Sequence, residues 1–320
     1  MVSSELIFGV SFFFQCAIGF VGNSLLLMLY VYISFRKPQQ KKPMDLILAH
    51  LTLANMVTLF TRGIPEIMFC FGMRHFLDDV GCKALMYFYR VARGLSVCTT
   101  SLVSMFQALI ISPNNSVWAS VKVRSPKYIL HYFVFVWVAN ALIFISVIRD
   151  SEATRNETNV RYRYATHIFV VRSIRNESHN AVAFMFGMTF HDLIFHFLMG
   201  LSSTYMVLLL YRHSKQVQHI YSSSHSLKSF PEVKATQTIL LLVTCFVLFY
   251  WLHNCIILYL TFNFEKDVEL ETIASFFGGC YPALSPLLLI GSDSRIPKLH
   301  CTPGKPQRPP KDFMNGLVNT

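Results

Sequence analysis

The sequence predicts an all-α membrane protein, a bundle of seven transmembrane helices. Of its 320 residues, 53% are hydrophobic and only 14% are charged, whereas an average soluble domain has about 25% charged residues. Seven apolar runs are long enough to cross a bilayer, which takes roughly 20 residues of helix. We therefore expect residues 1–291 to form one membrane domain.

The seven predicted spans are separated by polar loops, of which the loop between the fourth and fifth spans is the longest. The spans are Leu6–Ser34, Met44–Phe71, Cys82–Ile111, Tyr128–Ile148, Phe184–Tyr211, Ala235–Phe262 and Thr272–Ile290. The fourth and seventh are the shortest runs. Ser229 and Glu232 resemble a capping box that marks the start of the sixth helix. The tail, residues 292–320, is rich in proline and basic residues, a composition that predicts disorder.

The distribution of basic residues predicts the orientation of the first span. Residues 1–5 contain no Lys or Arg, whereas the loop "SFRKPQQKKP" after the first span contains four. Because cytoplasmic loops are enriched in Lys and Arg, we expect the N-terminus outside and the C-terminus in the cytoplasm. Summed over all loops and tails, this topology places 16 basic residues on the cytoplasmic side and 8 outside.

Two glycosylation sequons agree with this topology. Asn156 and Asn176 each begin an N-x-S/T triplet in the long loop 149–183, which is predicted to lie outside. A third triplet, at Asn114, lies on the predicted cytoplasmic side, where we expect no modification.

Four charged side chains interrupt the second and third apolar runs. Arg90 and Arg93 are one helical turn apart and share a face of the third span. Arg62 and Glu66 are four residues apart and share a face of the second span. Since a charge at the bilayer centre costs something like 2.5–3.5 kcal/mol on insertion scales, we expect all four to face the bundle interior.

Two interpretations of these charges stay open. In the first, Glu66 pairs with Arg62 or Arg90, and the charges form a buried network that fixes the packing. In the second, one carboxylate leaves uncompensated charge among three arginines, whose guanidinium groups suit bidentate capture of sulfate, phosphate or carboxylate. The Arg90→Met variant should lose surface delivery under the first interpretation, and only its anionic ligands under the second.

A second polar cluster, His191, Asp192 and His196, lies in the fifth span. Asp192 and His196 are four residues apart, within reach of a hydrogen bond. Histidine and carboxylate are common zinc ligands, but neighbouring residues of a helix point about 100° apart, so only two of the three face one way. We therefore interpret the cluster as the polar lining of a ligand pocket and predict no metal or cofactor.

Aromatic residues near the predicted outer ends of the third and sixth spans are further candidates for a pocket wall. They are Tyr87, Phe88 and Tyr89 in the third span, and Tyr259 and Phe262 in the sixth. Ligand pockets are mostly apolar with a few polar groups, and this combination occurs here. Packing at the membrane interface explains each ring equally well, so we carry forward Tyr89 and Tyr259 as pocket residues.

Several stretches resemble the vomeronasal type-1 receptors, a family of seven-span G-protein-coupled receptors for pheromones. They occur in the order that the family has, and they include "MDLILAHLTLAN" (Met44–Asn55), "YRVARGLS" (Tyr89–Ser96), "QALIISP" (Gln107–Pro113), "PEVKATQTILLLVTCFVLFYW" (Pro231–Trp251) and "CYPALSPLLLI" (Cys280–Ile290). The sequence lacks the Asp-Arg-Tyr and Asn-Pro-x-x-Tyr motifs of the wider rhodopsin-like class, as this family does. Taste type-2 receptors are the nearest alternative within the fold.

The resemblance implies a function. It implies small-molecule social cues, among them sulfated steroids, as ligands, a heterotrimeric G protein of the Gi/Go class as partner, and the plasma membrane of sensory neurons as location. It also implies a disulfide between the third span, at Cys82, and a cysteine of the long outer loop. Because residues 149–183 contain no cysteine, either no disulfide forms there or Cys70 is the partner.

Other function classes lack the residues that they need. A transporter or channel needs interior carboxylates along a path and paired broken helices, and Asp192 is the one clear deep acid. An intramembrane enzyme needs a carboxylate pair or a metal triad, yet Asp45 and Asp192 lie at opposite predicted depths. We therefore predict no catalytic residues.

Overall fold

The protein is described here by a computed structural model. It describes residues 2–40, 42–73, 77–113, 119–145, 148, 151–153, 162–165, 169–172, 178–220, 231–262 and 268–293. The predicted sequons at Asn114, Asn156 and Asn176 and almost all of the tail lie outside these residues, and stay predictions.

Seven helical spans form the bundle, as predicted. A three-residue 3₁₀ helix, Pro38–Gln40, lies between the first two. The spans are Val2–Arg36, Pro43–Cys70, Asp79–Ile111, Ala119–Ile143, Ser178–Ile220, Pro231–Phe262 and Val268–Ser292. All but the fourth contain a segment long and apolar enough to cross a membrane, whereas the apolar part of the fourth is limited to Tyr128–Ile143.

The second span widens in its middle into a π-helical turn, Leu59–Gly63, between the α-helical segments Pro43–Thr58 and Ile64–Cys70. Pro65 explains this turn. Proline has no N–H to donate to the carbonyl of Thr61, and its ring crowds that carbonyl. The chain accommodates both effects by inserting one residue into the turn, a device that often marks functional sites.

A small antiparallel sheet follows the fourth span, and the sequence analysis did not predict it. Its strands are β1 (Ser151–Ala153), β2 (Tyr162–Ala165) and β3 (Phe169–Arg172), with β3 in the centre. β1 packs against the third span. Among the described residues, the secondary structure is therefore helical except for this sheet.

The third span is the centre of the bundle, because it packs against the second, fourth, fifth and sixth spans. Asp78 caps its start by accepting a hydrogen bond from the Gly81 N–H at 2.8 Å. Its buried residues Val97 and Val103 belong to the main core together with Leu51, Met206 and Leu242 from three other spans. Large apolar side chains also cover the outside of the bundle, as expected where lipid is the solvent.

Buried polar side chains connect four of the spans. Asn55 Nδ2 donates to Ser285 Oγ at 2.9 Å, and Ser96 Oγ donates to Asn55 Oδ1 at 3.0 Å. Asn23 Nδ2 donates to the Pro282 carbonyl at 2.9 Å. These bonds join the first, second, third and seventh spans, which is the usual role of Asn and Ser between membrane helices.

Candidate ligand-binding site

The arginine of the second span is part of a buried ion pair. Arg62 Nη2 lies 3.2 Å from Glu66 Oε1, with 9% and 1% of the two side chains exposed. Arg62 also donates a hydrogen bond to Ser275 Oγ of the seventh span, and its guanidinium lies 5.6 Å from the centre of the Tyr89 ring. One of the two pairings predicted for Glu66, the one with Arg62, is therefore present.

Arg93 of the third span has different neighbours. Its Nη2 donates to Asn254 Oδ1 of the sixth span at 2.9 Å. Its guanidinium carbon lies 4.6 Å from the centre of the Tyr250 ring, a cation–π distance. Among the residues that the structure describes, no carboxylate forms an ion pair with Arg93. Its positive charge is therefore held by an amide and an aromatic ring, both of which are neutral.

Arg90 and Tyr89 complete this group of residues. Tyr89 is buried, and the charges of Arg93, Arg62 and Arg90 all act on its hydroxyl group. Arg90 is half-buried. The expected gathering of arginines inside the bundle therefore forms, and Tyr89 lies at its centre.

A cavity opens next to Arg93, between the second, third, sixth and seventh spans. Its polar wall includes Arg93, Ser96 and His253, and its aromatic wall includes Phe246, Tyr250 and Tyr281. The His253 side chain is fixed by a 2.8 Å hydrogen bond between Nδ1 and the Ala274 carbonyl. The cavity has a volume of about 30 Å³. Because one water molecule needs about 10–15 Å³, the cavity can hold about two.

The polar cluster of the fifth span lies close to this cavity. Asp192 Oδ2 accepts a hydrogen bond from the Tyr250 hydroxyl, and its Oδ1 lies 3.1 Å from His191 Nδ1. The expected contact between Asp192 and His196 also forms, but it joins His196 Nδ1 to the main-chain carbonyl at 2.6 Å. Within the described ranges, no group of three or more His, Cys, Asp or Glu residues is arranged to hold a metal ion.

Tyr259 does not lie with the other candidates. Its side chain is 58% exposed and does not line the cavity. The reason is helical geometry: Tyr259 follows Tyr250 by nine residues, which places it about 180° around the sixth helix. Proximity to the predicted outer end was therefore not enough to place it in the site, and Tyr250 and Phe246 form that part of the wall.

Asn254, Ser275 and Tyr250 contact the arginines but were missed by the sequence analysis. One signal was available, because Tyr250 and Asn254 are four residues apart and share a helical face. Ser275 gave no such signal, since it meets Arg62 only through the packing of the seventh span on the second.

The described cysteines form no disulfide, and Cys70 and Cys82 are among them.

Comparisons with known proteins agree with this architecture. The family model described as the vomeronasal organ pheromone receptor family matches residues 6–302. The chain is 36% identical to human "Vomeronasal type-1 receptor 1" over 292 residues, covering 90% of this chain and 80% of the relative. It is 34% identical to the Danio rerio "Olfactory receptor class A-like protein 1" over 311 residues, with 96% of each chain covered.

Among solved structures, squid rhodopsin has the same fold. The TM-score is 0.68 with 14% sequence identity, and the match covers 93% of this chain and 84% of rhodopsin. Apolar spans, fold and family together describe a multi-pass membrane receptor of the G-protein-coupled type, for which a small-molecule ligand and a G protein are the partners. This chain belongs to the vomeronasal organ pheromone receptor family.

Proposed function

We propose that this protein is a chemosensory receptor of sensory neurons that detects small social cues with an anionic group, such as sulfated steroids. The N-terminus is outside the cell, the C-terminus and the tail 292–320 are cytoplasmic, and the receptor activates a G protein of the Gi/Go class. The membrane location and receptor type follow from the family, whereas the ligand class, the orientation and the G-protein class are the proposal.

The observation that carries the anionic ligand is the different pairing of the arginines. The charge of Arg62 is balanced by Glu66 at 3.2 Å. Arg93 lies on the cavity wall and is bound to the Asn254 amide at 2.9 Å. A sulfate group that enters the cavity can replace the neutral Asn254 oxygen with a charged acceptor, which can also bind both arms of the guanidinium fork.

The size of the cavity supports a coupling between binding and conformation. Pockets for drug-sized ligands measure about 300–1,000 Å³, whereas this cavity measures about 30 Å³. A steroid therefore requires a wider arrangement of the third, sixth and seventh spans than the one described. A ligand that binds only the wider arrangement shifts the population toward it, and this shift is the signal.

The first experiment measures G-protein activation in cultured cells. A tagged receptor is expressed with a Gi/Go-class G protein and exposed to matched sulfated and unsulfated steroids, and the surface receptor is quantified in the same cells. We expect a response to the sulfated members of the panel. A response to neutral steroids alone, at normal surface abundance, would contradict the anionic ligand class and keep the receptor assignment.

Variants of Arg93 then test the site. In the Arg93→Met variant we expect normal surface abundance and a loss of response to sulfated compounds of about tenfold to a hundredfold in half-maximal concentration, because a hydrogen bond to a charged group is worth about 1.5–3 kcal/mol. The matched control, Arg93→Lys, keeps the charge without the planar fork, and we expect an intermediate loss. Equal potency in all three receptors would remove Arg93 from the site.

A further inference from the structure

A thiol and an imidazole meet at the contact between the third and fifth spans. Cys98 Sγ lies 3.8 Å from His191 Nε2. The other ring nitrogen, His191 Nδ1, lies 3.1 Å from Asp192 Oδ1. Cys98 is fully buried, and the proposed function makes no use of its thiol. This arrangement therefore needs an explanation beyond the Arg93 cavity.

The protonation of His191 follows from its carboxylate neighbour. An ionised carboxylate only accepts hydrogen bonds, so Nδ1 carries the ring proton and donates it to Asp192. Nε2 then has a lone pair that points toward the Cys98 thiol. Metal-binding histidines almost always have this arrangement, with one nitrogen on the ion and the other donating to a carboxylate or carbonyl.

The thiol also has a polar neighbour. Asn140 Nδ2 of the fourth span lies 3.6 Å from Cys98 Sγ. The Asn140 side chain is fully buried, and its Oδ1 has no hydrogen-bond partner among the described residues. An amide N–H beside a sulfur stabilises a thiolate, as hydrogen bonds to sulfur do in iron–sulfur sites.

We propose that Cys98 and His191 bind one soft monovalent metal ion, Cu(I), between the third and fifth spans. With bonds as long as those of zinc, about 2.3 Å to sulfur and about 2.0 Å to nitrogen, a linear two-coordinate Cu(I) needs the two atoms about 4.3 Å apart. The 3.8 Å contact therefore widens by about 0.5 Å when the ion binds. As the metal–sulfur bond forms, the thiol proton is released to solvent.

Charge and ligand number select this ion over zinc. Cu(I), one thiolate and one neutral imidazole sum to zero charge, which keeps the desolvation cost of the buried site low. Zn²⁺ would leave a net charge and takes three or four protein ligands. No group of three such ligands occurs in the described part of the chain. Thiolate and imidazole ligands both suit copper.

The bound ion would be coupled to the Arg93 cavity. The side chains of His191 and Asp192 are 12% and 20% exposed, so the protein does not enclose them completely. Asp192 accepts the hydrogen bond of Tyr250, whose ring lies against Arg93. An ion that fixes His191 and Asp192 therefore also restrains the wall of the ligand cavity.

Competition with a chromophoric chelator tests the proposal. The purified full-length receptor in lipid nanodiscs is titrated with Cu(I) held by excess bicinchoninate. We expect the wild type to remove one equivalent more than the Cys98→Ser or His191→Gln variants. X-ray absorption at one equivalent should give one sulfur and one nitrogen neighbour. In the Asp192→Asn variant, loss of the orienting carboxylate should weaken binding by about tenfold to a hundredfold.

The matched control is Cys245→Ser, which removes a half-buried thiol of the sixth span and should bind copper as the wild type does. The unfolding temperature of each variant without metal identifies any that fail to fold. The proposal is overturned if Cys98→Ser binds as much Cu(I) as the wild type, if the wild type removes none, or if the absorption spectrum of the wild type lacks the sulfur neighbour.

Discussion

Arg62 and Arg93 lie in neighbouring spans, and both face Tyr89, yet their surroundings differ. Arg62 is 9% exposed and contacts Glu66 at 3.2 Å, together with the Ser275 hydroxyl. Arg93 is half-buried and contacts the Asn254 oxygen at 2.9 Å and the Tyr250 ring at 4.6 Å. One guanidinium is thus neutralised by a carboxylate, and the other is held by neutral groups beside a cavity.

The difference shows that the neighbour, and not the arginine itself, decides what a buried charge does. The carboxylate of a buried ion pair already balances the arginine charge. Removing that carboxylate leaves the arginine buried without a counter-charge. A guanidinium held by an amide and a ring keeps its positive field and its donors. The ion pair of the first interpretation forms at Arg62 and Glu66, and anion capture by Arg93, the second interpretation, stays a prediction.

Breaking the ion pair should have the largest effect. The Glu66→Gln variant leaves the Arg62 charge buried without its carboxylate, and losing one partner of a buried pair costs about 3–5 kcal/mol. We expect most of this receptor to be retained inside the cell. Flow cytometry of a tagged N-terminus in unpermeabilised cells, compared with total receptor, measures the loss.

The double variant Arg62→Met/Glu66→Met is the control for this prediction. Replacing both members of a buried pair by apolar side chains is often neutral, so surface abundance should recover in large part. Normal delivery of Glu66→Gln alone would contradict a structural role for the pair.

Giving Arg93 a carboxylate partner should have the next largest effect. The Asn254→Asp variant places a carboxylate about where the amide oxygen now lies, 2.9 Å from Arg93 Nη2. The new ion pair competes with a ligand sulfate, so we expect the half-maximal concentration of sulfated ligands to rise by about tenfold to a hundredfold, the equivalent of roughly 1.5–3 kcal/mol. Neutral agonists should be unaffected.

The control is Asn254→Leu, which removes the amide without adding charge. Its response to sulfated ligands should fall less than that of Asn254→Asp, because no new carboxylate competes with the ligand for Arg93. If Asn254→Leu and Asn254→Asp lose potency equally, the charge of Arg93 is not what the ligand reads.

The sequence predicted the helical bundle because a helix that crosses lipid requires a long apolar run, and such runs can be read directly from the sequence. It also predicted the contact between Arg62 and Glu66 as one of two pairings for Glu66, the other being Arg90, since a spacing of four residues on one helix permits the contact. It did not predict the contact between Arg93 and Asn254, which are 161 residues apart. Such a contact depends on the rotation and height of two packed helices, and no local pattern specifies either.

The same limit explains the other differences between sequence and structure. Asp192 is hydrogen-bonded to Tyr250 of another span, while its expected partner His196 bonds to its main chain. The strands after the fourth span are only three or four residues long, too short for the alternation that identifies a strand. Pairing with each other and packing on the third span, both long-range events, stabilise them.

Narrowing the cavity beside Arg93 tests whether the ligand binds there, and the expected loss of potency is smaller. A Cβ added at Gly278 would lie 3.2 Å from His253 Nδ1 and 3.7 Å from the Tyr89 hydroxyl, so His253 must shift by a few tenths of an ångström. We expect the Gly278→Ala variant to lose about threefold to tenfold in potency for steroids, at a cost of roughly 1 kcal/mol. A dose–response series at matched surface abundance measures it.

Gly200 offers a matched substitution on the outside of the bundle. A Cβ there meets nothing within 4 Å, and Ala is the better helix former. The Gly200→Ala receptor should therefore keep its potency. If the two variants behave alike, the cavity beside Arg93 is not the ligand site.

The smallest effect is expected where the ring that supports Arg93 is kept and only its hydroxyl is removed. The Tyr250→Phe variant loses the hydrogen bond to Asp192 but retains the aromatic face 4.6 Å from the Arg93 guanidinium. If the ring holds the arginine, potency for sulfated ligands should change by less than about threefold, while Tyr250→Leu, which removes the ring as well, should lose more, because a cation–π contact is worth about 0.5–2 kcal/mol. Dose–response curves of the two variants with one sulfated agonist measure this difference. Equal losses would mean that the hydroxyl, through Asp192, positions the guanidinium. Arg93, unlike Arg62, has no carboxylate as its direct partner, but its position would then depend on the Asp192 carboxylate, which acts on it through Tyr250.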